Sequence, residues 1–346
     1  MTRVAVVGAT GAVGSTMLDV LRRRELAVSE VVPFASERSV GRTIAHGPGE
    51  ELTVQALTPE SVRGFDLALF SAGSATSEAW APAFAEGGAV VVDNSSLFRM
   101  REEVPLVIPE VNGAALAGHR GIVANPNCST MQMLMALAPI EAAVGIERLV
   151  VATYQSVSGT GQRAVEELLE QSRAVVAGEP IAPPEVYPHQ IAFNVLPQVE
   201  TFKDGDPYTT EERKIMGETR KILGRGEDLR ISTTCARVPV LQGHSQAVNV
   251  ETRAPLSAED CRALLAETPG LIVLDDPSDG IYPLAVEAAG RDEVLVGRIR
   301  GDPSHERALN LWVVGDNLRK GAALNAVQIA EELVARGLLG SRAASV

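Results

Sequence analysis

The feature that most constrains this chain is Gly8-Ala9-Thr10-Gly11-Ala12-Val13-Gly14, set between an apolar run and a helical pattern. Arg3 to Val7 predicts a buried strand, and Ala12 to Arg24 predicts a helix. Glycines at such a turn permit a sharp bend and bring the N–H groups of a helix N-terminus close to a pyrophosphate. The spacing is G-x-x-G-x-x-G rather than G-x-G-x-x-G, and the same mechanics remain available. Gly8, Thr10, Gly11, Ala12 and Val13 are therefore candidate cofactor contacts. A glycine-rich strand–helix turn with no ligand is the competing reading.

The pattern continues beyond the turn. Glu30 to Ala35, Asp66 to Ser71, Ala89 to Asp93 and Ile122 to Asn125 are short apolar runs, with helical stretches at Thr76 to Glu86 and Ser129 to Glu141. Strands alternating with helices argue for βαβ units and a parallel sheet covered on both faces. The second half changes style. Arg148 to Val157, Leu229 to Val238, Gln246 to Arg253 and Glu293 to Arg300 are longer and alternate more, which suits a mixed, largely antiparallel sheet. Between them Gly178 to Pro207 holds six prolines and reads as an irregular excursion, a partner surface or a lid. Leu309 to Val314 is a last strand and Gly321 to Arg336 a terminal helix. The expected class is α/β: a Rossmann-type dinucleotide-binding domain over 1–127, completed by a C-terminal helix within 317–346, and an α+β domain over 128–316.

Composition removes several functions. With 346 residues, 45% hydrophobic and 22% charged, the chain fits neither disorder, collagen nor a coiled coil. A net charge of −13 repels nucleic-acid phosphates and anionic membranes, so neither is expected as a partner. Three cysteines without a CxxC pair exclude a disulfide framework and give no zinc-ligand spacing, so no metal is expected. Gly121 to Ile140 lacks charge but contains two Asn and two Pro, which argues against a membrane span. No targeting segment is visible, and the expected location is the cytoplasm.

Two local patterns carry chemistry. After the second strand comes Phe34-Ala35-Ser36-Glu37-Arg38-Ser39. Glu37 can serve the ribose hydroxyls of NAD, whereas Ser36, Arg38 and Ser39 can hold the 2′-phosphate of NADP. The second option is favoured. Asn125-Pro126-Asn127-Cys128-Ser129-Thr130 places a cysteine at a helix N-terminus, where the dipole favours thiolate and N–H groups can stabilise an oxyanion. Cys235 and Cys261 read as buried packing residues, and Cys128 admits that reading too. Among five histidines, His244 has the most suggestive setting. An unbroken strand would put Arg237 and His244 on opposite faces, but Pro239 and Gly243 can interrupt it. The other four lie in loop-like contexts, where a solvated histidine is expected.

These segments carry a resemblance. GATGAVG, FASERSVG, DNSSLFRM, NPNCSTMQ, TYQSVSGTGQ, EERKIMGETRKI, RVPVLQGHS and DNLRKGAA occur in the order and spacing of the aspartate-semialdehyde dehydrogenase family, over nearly the whole chain. The FASERS and terminal DN segments look most like its Gram-positive-type branch. The resemblance implies a reversible reaction in which aspartyl β-phosphate and NADPH give aspartate β-semialdehyde, phosphate and NADP, within lysine, threonine, methionine and diaminopimelate biosynthesis. Cys128 would form a thioester, dividing one hard displacement into two easier steps. His244 would be the acid–base group and Gln155 would position the substrate. Arg237 would hold the α-carboxylate, Glu211 the ammonium, and Lys214, Arg99 and Asn127 would complete the substrate site. Ser71, Ser158, Gly159 and Asn317 would join the cofactor contacts. A homodimer paired through the second domain is implied as well.

Two rivals remain at this level. An N-acetyl-γ-glutamyl-phosphate reductase would share the cofactor domain and cysteine, but has no need of Glu211 and Lys214 for a free ammonium. A non-catalytic NADP sensor on the same fold would have no need of Cys128, Gln155, Arg237 and His244 together.

Overall fold

A computed structural model describes residues 2–24, 26–47 and 49–340. The chain divides into two compact units, Met1–Asn127 with Ala322–Val346, and Cys128–Gly321.

In the first unit the strands are β1 (Thr2–Val7), β2 (Val28–Phe34), β3 (Thr43–Gly47), β4 (Glu50–Thr53), β5 (Leu67–Phe70), β6 (Val90–Asp93) and β7 (Ile122–Ala124). The helices are α1 (Ala12–Arg23), α2 (Ser74–Glu86) and the short α3 (Pro109–Asn112). A five-stranded sheet runs β2-β1-β5-β6-β7, with every neighbouring pair parallel. Its inner strands β5 and β6 are buried throughout and β1 nearly so because both faces are covered, whereas the edge strand β2 starts exposed at Ser29 and Glu30. On one face Val4, Val6, Leu67, Leu69 and Val92 meet Met17 and Leu21 of α1, with Val327, Ile329 and Leu333 of the C-terminal helix Leu324–Ala335. Elsewhere in the unit Phe34, Phe65, Phe70 and Phe84 pack edge to face or tilted, with ring centroids 5.4–6.0 Å apart. The sequence reading lacked the hairpin β3–β4. Its strands are too short and too exposed to show a clear alternation.

The second unit contains α4 (Cys128–Val144), β8 (Ile146–Gln155), α5 (Gln162–Ala177), α6 (Thr210–Leu223), β9 (Arg230–Arg237) and β10 (His244–Thr252). It continues with α7 (Ala258–Ala266), β11 (Leu271–Val273), α8 (Ala285–Ala288), β12 (Val294–Asp302) and β13 (His305–Gly315). Its sheet runs β11-β12-β13-β10-β8-β9 and is mixed, antiparallel at its centre and parallel at both edges. The fold class is the one expected. α4 is apolar nearly all round, as a helix buried between a sheet and other helices should be. α6 starts on a capping box, Thr209 with Glu212, and stops at Gly224 in a left-handed conformation.

The proline-rich stretch is irregular, as expected. Its backbone is pinned to α5: Oε2 of Glu167 accepts from the N–H groups of Glu185 and Val186, and Oε1 of Gln171 from those of Ile191 and Ala192. Among the described residues no helix is long and apolar enough to cross a membrane. No group of three or more His, Cys, Asp or Glu side chains among them could hold a metal ion.

Candidate active site

Strand ends gather at one rim of the second sheet. Gln155 ends β8 and Arg237 ends β9, and the two are direct partners in the parallel ladder. His244 begins β10 on the other side of β8 and is paired with Gly315, the last residue of β13. The chain leaves the sheet over residues 238–243, which removes the parity conflict between Arg237 and His244.

His244 is fully buried. Its Nδ1 accepts the backbone N–H of Ser156 at 3.1 Å, and its Nε2 has no hydrogen-bond partner. Burial, reinforced by the nearby Arg237 charge, holds its pKa well below the ordinary histidine value, so the ring is neutral. Arg237 donates to the carbonyl oxygen of Ser156 at 2.7 Å, while its buried Nε has no partner. A Cβ on Gly159 would stand 3.1 Å from Nη1 of Arg237 and 3.3 Å from Nε2 of His244. Only a residue without a side chain keeps the space beside these two groups open.

Glu211 and Lys214 share one face of α6. Nε2 of Gln155 donates to Oε1 of Glu211 at 3.0 Å, and Nζ of Lys214 lies 3.8 Å from Oε2 of Glu211. Lys214 is also paired with Glu200. Glu211 is 3% exposed, which rules out an ordinary surface ion pair. Gln155, Glu211, Lys214, Arg237 and His244 thus share the second unit with Cys128.

Cys128 is the first residue of α4 and is half-buried. Gly321 packs on it so closely that an added Cβ would lie 2.9 Å from the Cβ of Cys128. Nε2 of Gln246, two residues beyond His244, donates to the carbonyl of Ser129 at 2.9 Å and ties β10 to the first turn of α4. None of the cysteines is in a disulfide. Burial pushes the Cys235 thiol up strongly, with Glu211 adding to it, and pushes Cys261 up to about 12. Met131 and Met133 are fully buried core residues.

Arg99 and Asn127 belong to the first unit, and both are buried. Arg99 donates to the carbonyls of Asn125 at 2.9 Å and Asn94 at 2.8 Å. In the same unit Gly8 has φ +90°, and a Cβ there would stand 2.3 Å from the carbonyl oxygen of Ser71. Gly8 follows β1 and Ser71 follows β5, so they flank the point where strand order reverses, the usual ligand position in such sheets. Gly11 precedes α1 without a side-chain cap, which leaves the first-turn N–H groups, those of Ala12 and Val13 among them, for another acceptor. Thr10 is exposed at this turn. A Cβ on Gly14 would meet the Gly8 carbonyl at 2.1 Å. This cradle fits a dinucleotide pyrophosphate. Ser36 and Arg38 are exposed around a short turn after β2, and Ser39 is buried.

Ser158, Gly159 and Asn317 lie in the second unit. Oδ1 of Asn317 accepts from the Gly243 N–H at 2.9 Å, and its Nδ2 donates to Oγ of Ser158 at 3.0 Å. Two features escaped sequence reasoning. Ser156, which faces His244, lay unremarked inside TYQSVSGTGQ. His119 is 2% exposed and bonded through both ring nitrogens, to Leu338 and Gly121, rather than solvated.

A dinucleotide-type parallel sheet joined to a mixed-sheet unit bearing a thiol and a neutral imidazole is the make-up of a dehydrogenase. Residues 3–119 match the semialdehyde dehydrogenase NAD binding domain, and residues 137–320 match the semialdehyde dehydrogenase dimerisation domain. The chain is 52% identical to aspartate-semialdehyde dehydrogenase of Aquifex aeolicus, over 97% of this chain and 99% of that one. It is 49% identical to that of Bacillus subtilis, over 95% and 96%. A crystal structure of aspartate semialdehyde dehydrogenase II from Vibrio cholerae complexed with ASA superposes with a TM-score of 0.91, at 49% identity and 97% and 98% coverage. The chain belongs to the aspartate-semialdehyde dehydrogenase family.

Proposed function

We propose that the protein converts L-aspartyl 4-phosphate to L-aspartate 4-semialdehyde, reversibly, with NADP(H). The observation that carries the reading is the rim at which Gln155, Glu211, Arg237 and His244 converge in a chain similar to its family from end to end. Cys128 attacks the acyl carbonyl and expels phosphate, leaving a thioester. When bound, the nucleotide would supply the hydride that this chemistry requires. His244 moves protons through Nε2 as the aldehyde is released. The unpartnered Nε of Arg237 suits a bidentate bond to the α-carboxylate. Glu211, held by Gln155, faces the ammonium, which an N-acetylated substrate lacks, and Lys214, Arg99 and Asn127 bind phosphate.

The Gly8–Gly14 turn, with Ser36, Arg38, Ser39 and Ser71, would hold the nucleotide, and Ser158, Gly159 and Asn317 would add further cofactor contacts. On this reading 1–127 with the C-terminal helix is the nucleotide domain and 128–316 the catalytic and dimerisation domain. Residues 341–346 of that C-terminal segment lie outside the described residues. The working form is a cytoplasmic homodimer. Support for pairing through the second unit comes from its sheet face lined by Val150, Ala152, Ala247 and Trp312, beside the exposed Leu284. The decisive test is purified protein with aspartate semialdehyde, phosphate and NADP. NADPH should form, and turnover confined to an acetylated glutamyl substrate would overturn the assignment.

A further inference from the structure

In the C-terminal helix Leu324–Ala335, Asn325 is fully buried, as are its apolar neighbours Leu324, Ala326, Val327 and Ile329. Asparagine is a poor helix former, and a buried amide costs free energy unless it is hydrogen-bonded. Nδ2 of Asn325 donates to the carbonyl of Val107 at 2.9 Å and to Oδ1 of Asn125 at 2.7 Å. Nδ2 of Asn125, also fully buried, donates in turn to the carbonyl of Ala322 at 3.0 Å and to Oδ1 of Asn94 at 2.8 Å. Each of these two amides faces a main-chain carbonyl that only accepts, which settles which end is nitrogen and gives the series one direction.

Asn94 and Asn125 also act through their main chains. Asn94 follows β6 and Asn125 follows β7, neighbouring strands of the parallel sheet. The carbonyl of Asn125 accepts from Nε of Arg99 at 2.9 Å, and that of Asn94 from Nη2 at 2.8 Å. Two bonds through different nitrogens fix the orientation of the planar guanidinium. The two carbonyls are held in register because the side chains of the same residues are bonded to each other, and Asn325 ties the Asn125 amide to the helix.

We propose that Asn325, acting through Asn125 and Asn94, is a positioning residue that sets the plane of the Arg99 guanidinium for phosphate. This role rests on Arg99 being a phosphate ligand in the reaction above. A guanidinium meets phosphate through N–H groups whose directions are rigidly linked, so a turned plane misdirects them together. Without Nδ2 of Asn325, Oδ1 of Asn125 and the Val107 carbonyl lose a buried donor, and the Asn125 amide turns to recover one. The movement is small, yet a misplacement of about 1 Å can cost about a hundredfold in rate.

Asn325→Ala removes both donations. In the oxidation of aspartate semialdehyde with phosphate and NADP, KM for phosphate is expected to rise about tenfold or more, with KM for the semialdehyde and for NADP within about twofold. Val327→Ala, in the same helix and the same core, should lower the melting temperature and leave KM for phosphate within about twofold. In an Arg99→Ala background, Asn325→Ala should raise KM for phosphate by less than about twofold further, because the group it positions is gone. An unchanged KM for phosphate in Asn325→Ala, a rise shared by all three substrates, an equal rise in Val327→Ala, or a full further rise in the Arg99→Ala background overturns the positioning role. An unchanged KM for phosphate in Arg99→Ala alone sinks instead the reading of Arg99 as a ligand. Asn325→Ser, whose hydroxyl can bond back to its own helix, carries the same expectations should the alanine variant fail to fold.

Discussion

Gln155 reaches from the end of β8 to donate a 3.0 Å hydrogen bond to the buried carboxylate of Glu211 on α6. A buried hydrogen bond to a charged group is worth about 1.5–3 kcal/mol. Glu211→Gln keeps the shape and removes the charge. Its KM for aspartate semialdehyde should rise about tenfold or more, with a smaller change in kcat. Steady-state kinetics over a wide substrate range measures this, and an unchanged KM removes Glu211 from ammonium recognition.

The three thiols should separate cleanly under alkylation. A group pushed up to about 12, as Cys261 is, is thiolate in less than about one part in 10⁴ at pH 7.5, and Cys235 is shifted in the same direction. Iodoacetamide followed by mass spectrometry of the native protein should find one modified cysteine, Cys128. Cys128→Ala should show no modification and no turnover. Rapid labelling of Cys235 would contradict its burial.

Arg38 should discriminate between the two nucleotides. Removing a charge-assisted contact to a 2′-phosphate costs about 1.5–3 kcal/mol, or about ten- to a hundredfold in Kd. Arg38→Ala should weaken NADP by that amount and leave NAD within about twofold, by titration of each nucleotide. Equal losses would take Arg38 out of the 2′-phosphate role.

Gly8→Ala places a methyl group where the Ser71 carbonyl already lies, at a backbone angle that side chains avoid. The strain should cost about 1–3 kcal/mol or more. Urea unfolding should show a lower midpoint, and nucleotide binding should fall with it. Gly178→Ala, at a positive φ with open space around it, should be the milder change.

Acid should unfold the protein through its buried histidines. His244 and His119 both have pKa values depressed by burial, so the unfolded chain binds protons that the native state refuses. Stability is therefore full above the ordinary value of 6.5 and is lost as pH falls below it. Each such histidine contributes a slope of up to about 1.4 kcal/mol per pH unit. Urea midpoints between pH 7 and pH 5 should fall less steeply in His244→Asn than in wild type.

Much of this was readable from sequence, and what was not has physical causes. The glycine turn, the parallel strands and Cys128 at the head of α4 follow from local pattern, because each needs only neighbours in the chain. The break between Arg237 and His244 was legible through Pro239 and Gly243. The bond between Gln155 and Glu211 was not, since a long loop and a helix separate them and no periodicity encodes their meeting. His119 looks like a loop histidine until Leu338, far along the chain, covers it. Ser156 has no sequence signature at all, because its importance lies in which atom it faces.

The C-terminal helix that completes the first core also governs the order of assembly. During synthesis the glycine turn and most of the parallel sheet emerge early, yet Val327, Ile329 and Leu333 follow the whole of Cys128–Gly321. The whole second unit leaves the ribosome before the first can close its apolar face. A nascent chain of this protein therefore carries an open hydrophobic surface for most of its translation. Loss of this helix would uncover the core beneath the Gly8–Gly14 turn, far earlier in the chain.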